Sequence, residues 1–256
     1  MPKTLWIGNI EFENISIPVK LHTSVKQDKI QFHLLHKTDQ VKLNQQMICA
    51  YEKKPVLSKD QLRGYQISER KYVLLDPEEM EQAEPEKSRS IVVHEFVKTN
   101  EIDPIFMERS YYLEPKTPNK VYSALCAALL KMGCQGIATW SMRKRAYLGA
   151  LRSDGKALQL TVLRFADEII PAKSLALKSF ALSEKELKIA SELINKLTVR
   201  FQPEKFKNEH QKKLRALLEK KARGQKVVLA KPRHLKSTAQ AELLKMLEKS
   251  LEKASA

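Results

Sequence analysis

Glycine is scarce in this chain, with seven residues in 256. The seven, at positions 8, 64, 133, 136, 149, 155 and 224, contain no pair with the spacing of a Walker loop or a dinucleotide fingerprint. That excludes phosphate-cradling loops, so ATP or NAD use by the chain is not expected and no cofactor is called for. Cysteine is scarcer still. Cys49, Cys126 and Cys134 are odd in number and widely spaced, which argues against a disulfide framework and fits a reducing compartment. No run approaches 18 apolar residues, so no membrane span is expected. The opening Met1-Pro2-Lys3-Thr4-Leu5-Trp6 lacks the apolar centre of a signal peptide. The expectation is a soluble cytoplasmic protein. Aromatic residues are few, at 7%. Hydrophobic residues make up 43%, enough for one large domain or one domain with extensions.

Acid is what the second half lacks. Residues 1–130 hold 18 Lys and Arg against 18 Asp and Glu. Residues 131–256 hold 28 against 12, which accounts for the whole net charge of +16. Segregated positive charge marks a surface that meets a polyanion. The cations are spread over strand and helix patterns rather than gathered on one amphipathic helix. Nucleic acid is therefore favoured over an anionic membrane surface.

The first half reads as strands. Ile15, Ile17, Val19 and Leu21 alternate on one face, and Pro18 among them suggests an edge or bulge. Lys71–Leu75, Ser90–Val93 and Arg109–Glu114 read as further strands. The acidic stretch 76–87 reads as a solvated turn or short helix, not a metal site, because no His or Cys joins its glutamates at ligand spacing. A helix follows, with Thr117 as N-cap, Pro118 at the first helical position and Gly133 as stop. Val121, Leu125, Ala128, Leu129 and Met132 form its apolar stripe, with Cys126 a buried small hydrophobe beside it. From Gly136 to Phe165 the pattern is an antiparallel meander that turns at Asp154-Gly155. Ser183-x-x-Glu186 is a capping box for a helix through Leu187, Ala190, Ile194 and Leu197. Pro203 opens a second helix ending at Gly224. A basic connector follows, and a last helix carries Leu243, Leu244, Leu247 and Leu251 on one side. Short strands followed by helices predict a β-barrel or strongly curved sheet with a helical arm.

Catalytic patterns are missing. No Ser/His/acid or Cys/His arrangement stands out, and Asp167-Glu168 on a strand point to opposite faces. His33-x-x-His36 with Cys49 supplies three ligands where a structural zinc needs four, so hydrogen-bonded histidines are favoured and no metal is expected. The cations give the stronger signal. Arg143-Lys144-Arg145 sits at a bend of the meander, and Arg152, Lys156 and Arg164 follow on the same strands. Guanidinium groups suit phosphate oxygens. Without interleaved aromatics, contact with a duplex backbone is favoured over base stacking on single strands. Lys226, Lys231, Arg233 and Lys236 in the connector form a second basic stretch, read as a further DNA contact.

Ordered motifs then point to a family. Trp6-Ile7-Gly8-Asn9-Ile10, Ile17-Pro18-Val19-Lys20-Leu21 and Phe32-His33-Leu34-Leu35-His36 come first. Glu101-Ile102-Asp103-Pro104, Tyr111-Tyr112-Leu113-Glu114-Pro115 and Ala150-Leu151-Arg152 follow. Leu163-Arg164-Phe165-Ala166-Asp167-Glu168 and Ser183-Glu184-Lys185-Glu186-Leu187 complete the series. Together they resemble the bacterial Ku family, DNA-end-binding factors of non-homologous end joining, over roughly residues 5 to 222. One departure is plain. Cys49-Ala50-Tyr51-Glu52 keeps a single cysteine where many relatives have Cys-x-x-Cys, so no zinc site carries over.

The resemblance implies a mainly β fold with α: a seven-stranded antiparallel β-barrel with a bridging arm and a helical C-terminal arm. It implies a core at 1–182, a helical dimerisation arm at 183–224 and a basic tail with a terminal helix at 225–256. It further implies a homodimeric ring on double-stranded DNA ends in the nucleoid, reading shape and charge rather than sequence. Lys20 looks like a channel lysine. The terminal helix with Leu243, Leu244, Leu247 and Leu251 looks like the segment that recruits the pathway's ATP-dependent DNA ligase. The resemblance implies no enzymatic activity. The alternatives are a DNA-end lyase acting on abasic sites through a Schiff-base lysine, for which no nucleophile stands out, and an RNA-binding barrel.

Overall fold

The computed structural model describes residues 3–26, 28–69, 71–85, 88–177 and 183–225. The chain divides into two compact units, residues 1–174 and 175–256.

The first unit is built on a closed seven-stranded barrel. Its strands are β1 (Thr4–Phe12), β2 (Ile15–Thr23), β5 (Ser90–Lys98), β6 (Met107–Pro115), β7 (Cys134–Met142), β8 (Arg145–Ser153) and β9 (Leu158–Leu163), in the order β1-β2-β6-β9-β8-β7-β5. Six pairings are antiparallel. The seventh, β1 with β5, is parallel and closes the barrel, so the sheet is mixed where a wholly antiparallel one was expected. Closure follows from chain order. The long excursion between β2 and β5 lets β5 return beside β1 in the same direction, as parallel neighbours require.

Alternation sets the core. Ile17, Val19 and Leu21 of β2 point inward with Ile10, Ile91, Leu113, Leu151, Leu158 and Leu160, all essentially solvent-free. Pro18 is not on an edge strand, because β2 lies between β1 and β6. Its pairing with β6 begins only at Val19, however, opposite Pro115. Pro18 therefore sits just beyond the β6 ladder, where its missing N–H costs no bond.

Two tryptophans explain two glycines. A Cβ on Gly149 would lie 2.5 Å from the Trp140 ring and 2.9 Å from the Thr161 carbonyl oxygen; one on Gly8 would lie 2.1 Å from the Trp6 ring. Trp140 in turn stacks on its cross-strand partner Tyr147 at 5.3 Å.

The helix α2 (Lys120–Met132) packs on β7 and β8. Asn119, not Thr117, is its N-cap: the side-chain oxygen accepts from the Val121 and Tyr122 N–H groups at 2.8 and 3.2 Å. Its buried face is Tyr122, Cys126 and Leu129, so the stripe is turned by one residue from the expected one, and Val121 and Met132 are exposed. The Tyr122 hydroxyl decides the rotation. It donates to the Leu113 carbonyl at 2.5 Å and accepts from the Leu158 N–H at 2.9 Å, tying the helix to two strands. Gly133, at φ 60°, ends the helix in a left-handed cap.

Between Thr23 and Ser90 no described residue is buried. This arm carries the two-stranded sheet β3 (Arg63–Ser68) and β4 (Lys71–Leu75) and the short helix α1 (Pro77–Gln82).

The second unit contains α3 (Glu184–Leu197) and α4 (Glu209–Ala222). Ser183 and Glu186 form the expected capping box. The second helix starts at Glu209 rather than Pro203. Asn208 caps it by accepting from the Gln211 N–H at 3.0 Å, while Pro203–Lys205 make only a single tight turn. No described residue of this unit is buried either. No described helix in the chain is long and apolar enough to cross a membrane.

Candidate nucleic-acid interface

The β7–β8 hairpin turns in two residues. Met142 pairs with Arg145, leaving Arg143 and Lys144 at the tip with φ of 53° and 65°. Two successive left-handed residues make the tight turn whose twist matches the flanking strands. Asn-Gly is the usual solution, because an L side chain in that region costs roughly 1–2 kcal/mol. Here the tip is Arg-Lys, so local strain is accepted to place two long cations at the apex, with Arg145 beginning the next strand. All three are exposed. Among the described residues Arg143 and Arg145 have no carboxylate partner. Lys144 does: its Nζ lies 2.6 Å from Glu84 Oε1, and this hydrogen bond holds the ammonium pKa above its ordinary value.

The other predicted cations lie elsewhere. Arg152 is exposed near the far end of β8, seven residues from Arg145 and so roughly 23 Å away along the strand. Lys156 follows in the β8–β9 turn. There Asp154 accepts from the Lys156 and Ala157 N–H groups at 2.9 and 2.8 Å, and from Gln159 Nε2 at 2.9 Å. These backbone bonds keep the Asp154 carboxyl below the usual carboxylate range.

Barrel closure brings Lys20 and Lys156 to one groove of about 1120 Å³, and adds Lys120, which the sequence reading missed. Lys20 stands opposite Glu114 in the β2–β6 ladder. Lys120 is the first residue of α2, where a cation opposes the helix dipole. That unfavourable placement was the available signal. The groove also holds an acid: His22 Nε2 lies 2.8 Å from Glu114 Oε2, and its Nδ1 lies 3.3 Å from Thr4 Oγ1.

Arg164 has structural work. Its Nη1 donates to the Ile105 and Met107 carbonyls, both at 2.9 Å, and its backbone N–H donates to the Phe106 carbonyl. It clamps the end of β9 to the start of β6. His36 Nδ1 lies 2.9 Å from Asp39 Oδ1 within a turn, and no group of three His, Cys, Asp or Glu among the described residues could hold a metal. Lys226, Lys231, Arg233 and Lys236, and Leu243, Leu244, Leu247 and Leu251, lie outside the described residues.

The fold and these basic surfaces define a class: a closed mixed barrel with an uncovered arm inserted between its second and third barrel strands in chain order, and a basic hairpin at one end. Comparison narrows it. The family model described as the Ku70/Ku80 beta-barrel domain matches residues 11–195. The chain is 58% identical over 250 residues to the non-homologous end joining protein Ku 2 of Geotalea uraniireducens (strain Rf4), covering 98% of both chains. It is 36% identical over 230 residues to the non-homologous end joining protein Ku of Anaeromyxobacter sp. (strain K), covering 89% of this chain and 78% of that one. A second Geotalea uraniireducens relative, named Ku 1, is 34% identical over 254 residues, covering 95% of this chain and 94% of that one. The chain belongs to the Ku family.

Proposed function

We propose that the chain binds double-stranded DNA ends without sequence preference, as a homodimeric ring, in double-strand break repair by non-homologous end joining. The observation that carries this reading is the strained Arg143-Lys144 turn with Arg145, set on a Ku-family barrel. Cations on a rigid hairpin meet phosphates at fixed spacing and read no bases. Lys20, Lys120 and Lys156 provide a second phosphate-facing group, and Arg152 is exposed on β8. The dimer is supported by apolar side chains that the single chain leaves bare. They include Phe32 and Tyr51 of the arm, the latter 94% exposed, and Leu187, Ile194, Phe201 and Phe206 of the second unit. Elements with no buried residue gain little stability alone, and a second copy offers the same surfaces in return. Recruitment and stimulation of the ATP-dependent ligase belong, in this reading, to residues 225–256, together with DNA binding by Lys226, Lys231, Arg233 and Lys236. The function is non-enzymatic. A Schiff-base lyase needs a lysine of lowered pKa, and Lys144, the lysine of the hairpin tip, is shifted the other way by Glu84. Borohydride trapping on abasic DNA should give no adduct, and a trapped peptide overturns the non-enzymatic reading.

The test is competition between linear duplex and a covalently closed circle of equal length. Tight binding to the linear form and weak binding to the circle is the expected result, and equal affinity overturns the ring. Arg143→Ala/Lys144→Ala/Arg145→Ala should flatten the dependence of log affinity on log salt by about 0.9 for each phosphate no longer neutralised. An unchanged slope would make the hairpin tip a solvated turn.

A further inference from the structure

The acidic stretch after β4 has no place in the DNA-binding reading, yet Glu84 within it meets the basic hairpin. Glu84 follows the end of α1, and its Oε1 lies 2.6 Å from Lys144 Nζ. Its side chain is 19% exposed, so the carboxylate is set into the surface rather than free in solvent. The connection is anchored. Ser141 Oγ of β7 donates to the Ser88 carbonyl at 3.3 Å, Asn9 N–H donates to the Arg89 carbonyl at 2.8 Å, and Ser90 Oγ donates to Glu11 at 2.7 Å. Glu84 is four residues from a point stitched to the barrel, a tether of at most about 14 Å. It shares a small cavity of about 190 Å³ with Arg89, Arg143 and Lys144. Glu81 adds negative potential at the Lys144 ammonium.

We infer that Glu84 is an intramolecular surrogate for phosphate. In the free protein its carboxylate occupies Lys144, and a DNA backbone must displace it before the hairpin tip is fully engaged. This inference rests on the duplex-binding reading and adds a regulation of that same site. It has two thermodynamic consequences. Affinity is lowered by the strength of the pair, because the competent state is only a fraction of the free population. The salt dependence is also reduced. When Lys144 moves to a phosphate, the bared Glu84 takes up a cation, which offsets the counterion released from DNA.

The experiment compares wild type, Glu84→Gln, Lys144→Gln and the double variant in gel-shift titrations of linear duplex across a salt series. Glu84→Gln should bind about two- to fivefold more tightly at low salt, the range an exposed ion pair is worth. Its log–log salt slope should steepen by up to about 0.9. In the Lys144→Gln background the same change should have little effect. A Glu84→Gln variant no tighter than wild type, or a gain that persists without Lys144, overturns the inference. A second readout needs no DNA. Acetylation of Lys144, followed by peptide mass spectrometry, should run faster in Glu84→Gln than in wild type, and equal rates overturn the pairing. If wild type fails to bind linear duplex at all, the duplex-binding reading fails and takes the inference with it. If wild type binds and Glu84→Gln behaves identically, only the inference falls.

Discussion

Arg143 and Lys144 occupy backbone positions that neither side chain favours. Sparsely populated conformations persist where the surroundings enforce them, and they gather at functional sites. Here the hairpin enforces the conformation and the cations are what it delivers. Stability and binding should then respond oppositely to one change. Arg143→Asn/Lys144→Gly supplies the residues the turn prefers and should raise stability by about 1–2 kcal/mol in urea unfolding. The same variant should bind linear duplex more weakly and with a flatter salt slope. A variant both less stable and unchanged in binding would refute the idea that strain is kept for charge. The sequence showed this site only as three cations at a bend. No local rule assigns positive φ to an Arg-Lys pair, whereas Asp154-Gly155 announced its turn outright.

At the scale of elements, α2 shows where pattern reading stops. Val-Tyr-Ser-Ala-Leu-Cys-Ala-Ala-Leu-Leu is apolar on most sides, so periodicity alone does not choose the buried face. One hydroxyl does. Tyr122 bridges the Leu113 carbonyl and the Leu158 N–H, and that fixes the helix on the barrel. The Lys20, Lys120 and Lys156 groove was hidden for a related reason: the three positions meet only through barrel closure, which local sequence does not encode. The strands themselves were legible, because alternation at Ile17, Val19 and Leu21 has one buried solution, although every residue of β9, Gln159 and Thr161 included, is buried. Tyr122→Phe should cost about 1–3 kcal/mol, since it leaves the buried Leu158 N–H without an acceptor. Burial also pushes the Tyr122 hydroxyl up to about 12, above its unfolded value of about 10. Between those values the unfolded chain has lost the proton while the folded protein keeps it. The contribution is therefore complete below about pH 10 and declines as pH rises toward 12. Stability curves of wild type and Tyr122→Phe should converge over that window. Parallel curves would mean that Tyr122 is not the titrating group.

For the whole molecule, the charge and the bare apolar surface make one argument. Residues 175–256 carry 20 Lys and Arg against 9 Asp and Glu, so the second unit holds most of the excess. A highly charged segment repels its like, and two copies associate only if apolar burial outweighs that repulsion. The second unit has the means: Leu187 is 59% and Ile194 65% exposed on α3, with Val199, Phe201 and Phe206 close behind in sequence. These side chains are more than half exposed, so polar replacements there should leave the barrel intact. Leu187→Asp/Ile194→Asp should convert a dimer to a monomer in sedimentation velocity at micromolar concentration. Barrel unfolding, followed by the fluorescence of Trp6 and Trp140, should be unchanged. Under the proposed ring, linear-duplex affinity should fall at least about tenfold, because a single copy would present half the phosphate-binding cations and would not encircle an end. A variant that stays dimeric would move the interface to the bare arm between β2 and β5. A monomer that still prefers linear duplex to closed circle would show that end recognition resides in one barrel and its hairpin.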